Sequence, residues 1–480
     1  CCGAGRPARP AAGGRSGAPR RSTAPAPRAP QASALEQALD TAAARAAAEP
    51  APATTFAELG LPERLVTALA RRGMPAPFAI QVRAVPDALA GRDVLARGQT
   101  GSGKTLAFGL PLLARLAGGR SSTGRPRGLV LVPTRELAQQ VHDALQPLAQ
   151  PLGVSLAAVY GGASMTRQVA ALRRAVDVVI ATPGRLEDLI AQGECRLDAV
   201  DVVALDEADH MADLGFLPVV RRLLGQTPRS GQRLLFSATL DRGVEALVRE
   251  HLVDPAVHAV APDTSPVEDM DHRVFALQAE AKVPVSAEIA ARPGRTLFFV
   301  RTKHGADRLA KQLGRAGAPA VALHGNLNQN QRRRALDAFT TGSTRVLVAT
   351  DVAARGIHVD DVDLVVHYDP PADPKDYLHR SGRTARAGAS GTVLSLVLPE
   401  QVVEHQRMRE KAAVQASAVS VVVGHPAVRE LATSGTPVVV PASPAPAAPA
   451  GPVRSVAAAV AAGPRRRRSG APAGRPQGRP

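Results

Sequence analysis

The sequence predicts an α/β protein in which two successive parallel-sheet domains are flanked by disordered basic tails. Short apolar runs alternate with stretches of helical period, which is typical of βαβ units and a parallel sheet. That alternation pauses at the Pro- and acid-rich segment "VAPDTSPVEDMDH" and then resumes. The first and last fifty residues are rich in Ala, Pro, Gly and Arg, and they hold too little apolar surface to repay the entropy of ordering.

These changes in composition predict the domain boundaries. The predicted segments are a tail at 1–53, a first domain at 54–262, a linker at 263–271, a second domain at 272–400 and a mostly disordered tail at 401–480. One short helix near "SALEQALDTAAARAAA" is the ordered element that the pattern allows in the N-terminal tail.

Continuous apolar runs predict the strands, because strands buried on both faces of a sheet lack the alternation of half-exposed ones. In the first domain these runs are "DVLAR", "RGLVLV", "VSLAAVY", "VDVVIAT", "VDVVAL" and "RLLFSAT". In the second domain they are "RVFALQ", "TLFFV", "AVALHG", "RVLVATD", "LVVHYD" and "GTVLSLVL". Amphipathic stretches such as "TRELAQQVHDALQPLA" separate them and predict the intervening helices.

Length and composition exclude several classes of protein. The chain has 480 residues, which suits two or three domains. Its hydrophobic fraction of 45% supports real cores, and the aromatic fraction of 2% means that Leu, Val and Ala build them. No run approaches the roughly 18 apolar residues of a membrane span, and no signal-peptide pattern opens the sequence. Of three cysteines only Cys195 lies in the body, so we expect reduced thiols and a cytoplasmic protein.

The charge distribution indicates a polyanionic partner. The formal net charge is +17, and much of it lies in the tails: residues 1–50 hold seven Arg against three acids, and residues 431–480 hold seven Arg and no acid. Basic tails on a nearly balanced body would add salt-sensitive attraction to phosphate. The alternative is a pair of solvated tails without a partner.

The segment "ARGQTGSGKT" has the Walker A spacing, with Gly98 and Gly103 followed by Lys104 and Thr105. It follows a predicted strand, as that motif requires. Glycines let backbone N–H groups surround phosphate oxygens, and the helix N-terminus adds partial positive charge. We expect Lys104 to reach the β- and γ-phosphates and Thr105 to hold Mg²⁺. A Gly-rich turn with an incidental Lys is the alternative that this context disfavours.

Three carboxylates, Asp206, Glu207 and Asp209, follow the apolar run "VDVVAL". Carboxylates this close repel one another, and the end of a buried strand is a poor place to leave them unpaired. We therefore expect nucleotide-bound Mg²⁺ beside Asp206, partly through water, with Glu207 orienting or deprotonating the attacking water. A surface acidic turn is the alternative.

Further motifs surround these two segments in a fixed order. The first domain holds Phe56, "GMPAPFAIQ", "GQTGSGKT", "PTRELA", "GG", "TPGRL", "DEAD" and "SAT". The second domain holds "FFVRT", Gln329-x-x-Arg332, "ATDVAARGI" and "HRSGRTARAG". In this set and order, residues 54–400 resemble the DEAD-box ATP-dependent RNA helicases of superfamily 2, bacterial type. The resemblance implies two tandem RecA-like domains that hydrolyse ATP and act on RNA.

The resemblance implies an ATP site in the first domain. Gln81 would read the adenine edge, because an amide can donate to N7 and accept from the N6 amino group, and Phe56 would stack on the base. The implied ATP-binding residues are Phe56, Gln81, Gly98, Gln99, Thr100, Gly101, Ser102, Gly103, Lys104 and Thr105.

The second domain has no Walker A segment of its own and so is not an independent ATPase. Its Arg383 and Arg386 are spaced i, i+3, which predicts a shared helix face. The resemblance implies that both reach the γ-phosphate as arginine fingers, so that hydrolysis requires the domains to close. The residues implied to couple hydrolysis to RNA release, with His379 facing the DEAD carboxylates, are Asp209, Ser237, Thr239, Asp351 and His379.

RNA contacts are implied for motifs in both domains. The implied residues are Pro133, Thr134, Arg135, Gly161, Gly162, Thr182, Pro183, Gly184, Arg185, Gln329, Arg332 and Thr350. Thr, Arg and glycine backbone suit phosphate rather than base edges, so recognition should be independent of sequence. The 2′-OH would distinguish RNA from DNA. By resemblance, closure bends one strand and melts a short duplex locally.

Two positions depart from the family pattern. Where the family generally has an Asp that contacts a ribose, this sequence has His358, with Asp360 two residues on, and the ribose role is assigned to neither. Where the family has Thr or Ser after Pro77, this sequence has Phe78, so a hydroxyl contact is missing. Neither change touches Lys104 or the catalytic carboxylates.

The sequence therefore favours an RNA-dependent ATPase that unwinds short RNA duplexes or remodels ribonucleoproteins. The alternatives are an RNA-clamping scaffold timed by ATP, a DNA helicase, and a P-loop enzyme acting on small molecules. ATP and Mg²⁺ are the expected cofactors, and a monomer without membrane contact is the expected state. Ribosome assembly, RNA decay and cold adaptation stay open as pathways.

Overall fold

The computed structural model describes residues 33–48, 54–98, 101–260, 270–354, 362–385 and 391–437. Within them the chain forms two seven-stranded sheets, and every pairing between named strands is parallel. This confirms the predicted fold class of tandem α/β, RecA-like domains. Within these ranges, no helix combines the length and the apolar character that crossing a membrane requires.

The first sheet belongs to domain 1. Its strands are β1 (Val94–Arg97), β2 (Gly128–Leu131), β3 (Leu156–Val159), β4 (Val178–Ala181), β5 (Val202–Leu205), β6 (Gln232–Ser237) and β7 (Ala256–Ala259), in the order β3-β4-β2-β5-β6-β1-β7. The helices are α1 (Ala34–Ala48), α2 (Glu63–Arg71), α3 (Ala79–Leu89), α4 (Lys104–Leu116), α5 (Arg135–Ala149), α6 (Met165–Leu172), α7 (Pro183–Ala191), α8 (Ala208–Asp213), α9 (Leu217–Gly225) and α10 (Arg242–His251), with a 3₁₀ turn at Gln150–Leu152.

The second sheet belongs to domain 2. Its strands are β8 (Met270–Ala276), β9 (Arg295–Phe299), β10 (Ala320–Leu323), β11 (Val346–Ala349), β12 (Val362–His367), β13 (Gly391–Val397) and β14 (Ala418–Ser420), in the order β10-β11-β9-β12-β13-β8-β14. The helices are α11 (Ala279–Ala290), α12 (Lys303–Arg315), α13 (Gln329–Thr340), α14 (Asp351–Ala354), α15 (Pro374–Ser381), α16 (Val402–Lys411) and α17 (Pro426–Thr433), with a 3₁₀ turn at Pro399–Gln401.

The central strands are buried on both faces, as their apolar runs predict. Every residue of β2, β4, β5 and β6 is buried. Helices cover both sides, and the core consists mainly of Leu, Val and Ala, with the rings of Phe108 and Phe236 in contact at 5.5 Å between centroids. Since all strands run in one direction, their carboxyl ends form one edge, where ligands bind in open α/β sheets.

Both predicted boundaries of the second domain differ from the structure. The second domain does not end at 400: α16 and α17 follow, β14 pairs with β8, and Val421, Val428 and Leu431 lie in its core. The segment was missed because its apolar residues fall in short runs separated by polar residues. The linker prediction of 263–271 lies mostly outside the described residues, and β8 begins at Met270.

The N-terminal segment contains the short helix that the pattern allowed. Helix α1 packs against β7 at the edge of the first sheet, and its Leu39 is buried in the core. Arg97, at the end of β1, pairs with Asp40 of this helix at 2.7 Å. Residues 33–48 therefore belong to domain 1, although they were assigned to the tail. The remainder of both predicted tails lies outside the described residues.

Candidate active site

The loop between β1 and α4 holds its lysine in a buried position. Gly103 precedes α4 with a φ of +88°, in the left-handed region that favours glycine. The Lys104 side chain turns back over the loop, where its Nζ donates to the carbonyl oxygen of Gly98 at 2.9 Å. The strand, loop and helix that the Walker A spacing requires are thus in place. Gln99 and Thr100 lie outside the described residues.

Lys104 also pairs with the acidic segment that follows β5. Its Nζ lies 3.0 Å from Oε1 of Glu207. Burial opposes the charge on the lysine, but the surrounding carboxylates override this and raise the pKa of Lys104. Burial likewise opposes the charge on Glu207, yet Lys104 and Arg383 hold the pKa of Glu207 below its usual range. Glu207 is therefore a carboxylate in this site.

Asp206 lies beside this pair in a different environment. Its side chain is 2% exposed, and its Oδ1 accepts a hydrogen bond from the Glu207 N–H at 3.0 Å. Burial raises the pKa of Asp206, and Lys104 offsets this only in part. Glu207 has a φ of +54°, which a residue with a side chain adopts only when its surroundings impose it. The strained backbone of Glu207 therefore serves to position side chains in the site, at a cost in local stability.

The third carboxylate, Asp209, connects the acidic segment to the end of β6. Its Oδ2 accepts hydrogen bonds from the Thr239 N–H at 2.9 Å and the Thr239 hydroxyl at 2.8 Å. The Ser237 hydroxyl accepts from the Asp209 N–H at 3.1 Å and donates to the Thr239 carbonyl oxygen at 2.8 Å. These bonds join the "DEAD" and "SAT" segments, which the sequence predicted as coupling elements.

Gln81 lies in the first turn of α3 with its side chain fully buried. Its Oε1 accepts from the Phe78 N–H at 2.9 Å, and its Nε2 donates to the Gly103 carbonyl oxygen at 3.0 Å. Both ends of the amide are thus engaged within the protein. Gln81 thus ties α3 to the phosphate loop, and its contact with adenine stays a prediction.

Two aromatic residues near this site differ in exposure. Phe56, predicted to stack on adenine, is 2% exposed and packs in the core of domain 1. Phe78 is 61% exposed, and its ring lies so close to Gly103 that a Cβ there would meet Phe78 Cδ2 at 2.9 Å. The stacking role of Phe56 stays a prediction. Phe78 is therefore an additional aromatic candidate for contact with adenine. In the sequence, this position was notable only because it lacks the hydroxyl that the family has there.

The three RNA-contact motifs of domain 1 meet at the carboxyl ends of β2, β3 and β4. A Cβ on Gly162 would lie 2.2 Å from Nη1 of Arg135, so the "PTRELA" arginine packs over the "GG" backbone. Nη1 of Arg185 donates to the Ala163 carbonyl oxygen at 3.4 Å. Thr134 caps α5 by accepting from the Leu137 N–H. The sheet order, in which β4 lies between β3 and β2, explains this convergence.

Arg332 and Gln329 of domain 2 contact domain 1. Nε of Arg332 donates to Oε1 of Glu136 in α5 at 2.8 Å, and both side chains are less than one-tenth exposed. Nε2 of Gln329 lies 3.5 Å from the same oxygen. Glu136 belongs to the "PTRELA" motif, but the sequence predicted no role for this residue. The RNA contacts of Gln329, Arg332 and the buried Thr350 stay predictions.

Helix α15 connects the second-domain motifs to the catalytic carboxylates. Arg380 forms two hydrogen bonds with the Asp351 carboxylate, at 2.5 and 2.8 Å, and so joins two segments that the sequence treated separately. Arg383 is near enough to Glu207 to lower the pKa of that carboxyl. His379 lies half-buried in the same helix, and its contact with the carboxylates stays a prediction.

The predicted helix face shared by Arg383 and Arg386 is wrong. Helix α15 ends at Ser381 with Gly382 as its C-cap, so Arg383 lies in the turn beyond it. Ala385 has a φ of +52°, which continues the departure from helical geometry. Arg386, His358 and Asp360 lie outside the described residues.

Two family models match the chain. Residues 78–247 match the DEAD/DEAH box helicase model, and residues 281–388 match the helicase conserved C-terminal domain model. The RNA helicase CrhR of Synechocystis is 41% identical over 351 residues, which cover 72% of this chain and 70% of that protein. The chain belongs to the DEAD-box family of ATP-dependent RNA helicases.

Other DEAD-box proteins are also similar to this chain. The chloroplastic DEAD-box ATP-dependent RNA helicase 3A of Zea mays is 44% identical over 356 residues, covering 72% of this chain and 47% of the relative. The chain thus spans about half the length of that relative. The solved structure of S. cerevisiae Dbp5 bound to RNA and ADP BeF3 is 28% identical with a TM-score of 0.68, and the match covers 79% of this chain and all of that one.

The oxygens predicted to hold Mg²⁺ in this DEAD-box site fit that ion. Carboxylate and hydroxyl oxygens, such as those of Asp206 and Thr105, are the ligands that Mg²⁺ prefers. Because burial raises the pKa of Asp206, a cation beside it would favour its charged form. The donor set is therefore chemically suited to the cation that accompanies a nucleoside triphosphate.

Proposed function

We propose that this DEAD-box chain couples RNA-stimulated ATP hydrolysis to local unwinding or remodelling of short RNA duplexes or ribonucleoproteins. The observation that carries the proposal is the meeting of two half-sites. Lys104 and Glu207 come from domain 1, and Arg383 of domain 2 is near enough to lower the pKa of Glu207. An ATPase site divided in this way is completed only when the domains close on each other.

The residues suggest an order of events. Lys104, now paired with Glu207, would turn to the β- and γ-phosphates when ATP binds. That exchange would leave the Glu207 carboxylate to orient or deprotonate the attacking water. Mg²⁺, held by Thr105 and Asp206 partly through water, would neutralise charge on the phosphates. Arg383 would stabilise the charge that develops on the transferred phosphoryl group.

RNA is the partner that the motifs support. Arg135, Gly162 and Arg185 converge at one edge of the sheet, and arginine with exposed glycine backbone suits phosphate oxygens. Contacts of this kind carry no base information, so binding should be independent of sequence. The S. cerevisiae relative of similar fold was solved with RNA and ADP BeF3, which supports the same pair of ligands here. We further propose that the chain acts as a monomer in RNA-containing assemblies of the cytoplasm.

The test is steady-state ATPase activity of the full chain with and without single-stranded RNA, with the DNA analogue as a comparison. We expect stimulation by RNA and not by DNA. Glu207→Gln should lower the stimulated kcat by about a hundredfold or more, because general-base catalysis contributes about 10²–10⁴-fold. Equal activity with and without RNA would refute the proposed coupling. Slow ATP turnover with stable ATP-dependent RNA retention would instead indicate a clamp.

A further inference from the structure

Helix α15 has a residue of unfavourable charge in its first turn. Lys375 stands in its first turn, next to the partial positive charge of the helix N-terminus, where an acidic residue is favoured. Asp373 of the same segment is already engaged as N-cap, since its side chain accepts from the Asp376 N–H at 2.8 Å. Local helix energetics therefore do not explain a lysine here.

The partners of Lys375 lie in domain 1. Its Nζ donates to Oδ1 of Asp213 at 2.7 Å and lies 3.6 Å from Oδ2 of Asp241. Asp213 is the last residue of α8, where the helix dipole disfavours an acid. The lysine and the aspartate each oppose the dipole of their own helix, and each offsets the charge of the other.

The two aspartates follow the catalytic segments of domain 1. Helix α8 begins directly after Glu207 and ends at Asp213. Asp241 caps α10 two residues after Thr239, its Oδ1 accepting from the Gly243 and Val244 N–H groups at 2.9 Å. That capping holds Asp241 in place with its other oxygen near Lys375. Asp209 adds a further negative charge toward the same ammonium group.

We propose that Lys375 is a positioning residue for Arg383: by pairing with Asp213 and Asp241, it holds α15 against the helices α8 and α10, which follow the DEAD and SAT segments. This inference rests on the proposed function. Arg383 lies two residues beyond the end of α15, so the position of this helix determines the position of the Arg383 guanidinium. The pair forms only when the domains meet, and it therefore stabilises the closed arrangement and not the separate domains.

The lysine is about a third exposed, so salt screens the pair in part. With the domains apart, the Lys375 ammonium would be repelled by the positive N-terminus of its own helix and would lack its carboxylate partners. Approach of domain 1 would offset that repulsion. The structure thus assigns to this lysine an electrostatic contribution to closure that is separate from the ATP contacts.

The test is RNA-stimulated ATPase activity of Lys375→Glu and Lys375→Gln in the full chain, at saturating RNA and ATP. We expect Lys375→Glu to lower kcat about tenfold, a change of about 1.4 kcal/mol in the barrier, with a smaller loss for Lys375→Gln. The KM for ATP in the absence of RNA should stay within about twofold, because ATP contacts domain 1 first. Lys375→Arg should keep most of the activity, since it preserves the charge.

The charge exchange Lys375→Glu with Asp213→Lys is the decisive variant. It places an acid at the start of α15 and a base at the end of α8, which the helix dipoles favour, so folding should not suffer. We expect it to recover part of the kcat that Lys375→Glu loses, because the pair with residue 213 is restored while Asp241 still faces the new acid. No recovery of kcat, with an unchanged melting temperature, would overturn the proposal.

Arg221→Glu is the matched control. Arg221 pairs with Glu250 at 2.8 Å with similar exposure, and both residues lie within domain 1. Its kcat should change by less than about twofold, as expected for an isolated surface pair. Suppose that RNA stimulates the wild type but that Lys375→Glu and Arg221→Glu have the same kcat. That result would refute the positioning role and leave the proposed function intact. Absence of RNA stimulation in the wild type would refute the proposed function itself.

Discussion

Three neighbouring carboxylates acquire three different environments. Glu207 is held as a carboxylate by Lys104, and burial raises the pKa of Asp206. Asp209 turns away to bind Thr239. The strained backbone at Glu207 lets successive side chains point in different directions. At the scale of single residues, separation and one lysine therefore reduce the repulsion expected from the sequence, but Glu207 and Asp209 still help burial to raise the pKa of Asp206.

Gly103 is the residue whose lack of a side chain matters most at the phosphate loop. A Cβ there would meet Gln81 Nε2 at 2.4 Å and Phe78 Cδ2 at 2.9 Å. We expect Gly103→Ala to raise the KM for ATP at least about tenfold, because the loop and α3 must move apart and the positive φ adds about 1–2 kcal/mol of strain. Steady-state kinetics and isothermal titration with ATP would measure this.

Gly193→Ala is the matched control for Gly103→Ala. Gly193 has a φ of +76°, but a Cβ there would meet nothing within 4 Å. This variant carries the conformational strain without the contact with Gln81 and Phe78, so its KM for ATP should equal that of the wild type. Equal effects of the two variants would mean that strain alone, and not the packing of Gln81 against the loop, explains the loss.

At the scale of elements, the segment after residue 400 completes domain 2. Strand β14 adds a seventh strand beside β8, and α17 packs on α11. Val428 and Leu431 of α17 are buried in the same core as Phe298 of β9. An exposed edge strand is a site for unwanted pairing, and β14 is short, which limits that risk. These elements are structural parts of the domain, not a tail.

Leu431→Ala tests that assignment. Truncating a buried leucine costs about 2–5 kcal/mol, so the domain 2 unfolding transition should move to clearly lower urea concentration. Circular dichroism of the full chain in urea would follow it. Val423→Ala, at a side chain that is 55% exposed, should change stability by no more than about 0.5 kcal/mol. If the two variants unfolded alike, residues beyond 400 would not contribute to the core.

At the scale of the whole molecule, a buried ion pair joins the two domains. Glu136 of α5 and Arg332 of α13 are each less than one-tenth exposed where they meet. A buried charge without its partner is costly, so this pair favours the arrangement in which both are present. Together with the pair between Lys375 and Asp213, it gives the two domains charge contacts outside the ATP site.

Glu136→Gln should weaken closure while leaving both domains folded. The change removes the charge opposite a buried arginine, and a hydrogen bond to a charged group is worth about 1.5–3 kcal/mol, or roughly ten- to a hundredfold in affinity. We therefore expect a correspondingly higher Kd for RNA in the presence of a non-hydrolysable ATP analogue, measured by fluorescence anisotropy. Glu194→Gln, which breaks a pair with Arg173 inside domain 1, is the control. Unchanged affinity in Glu136→Gln would contradict a role for the pair in closure.

The fold class and the presence of an ATP site could be predicted from the sequence alone. Buried parallel strands need continuous apolar runs, and phosphate binding needs glycines and a lysine at fixed spacing, so both leave local patterns. Lys104, Glu207 and Asp209 lie together as those patterns predicted.

The contacts between distant segments could be seen only in the folded chain. The pairs of Glu136 with Arg332, Asp351 with Arg380, and Lys375 with Asp213 join residues far apart in the chain, and no local pattern marks them. The end of α15 before Arg383, the burial of Phe56 and the extension of domain 2 also depend on packing against other elements. Local propensity describes one segment at a time, whereas these features are set by which segments the fold brings together.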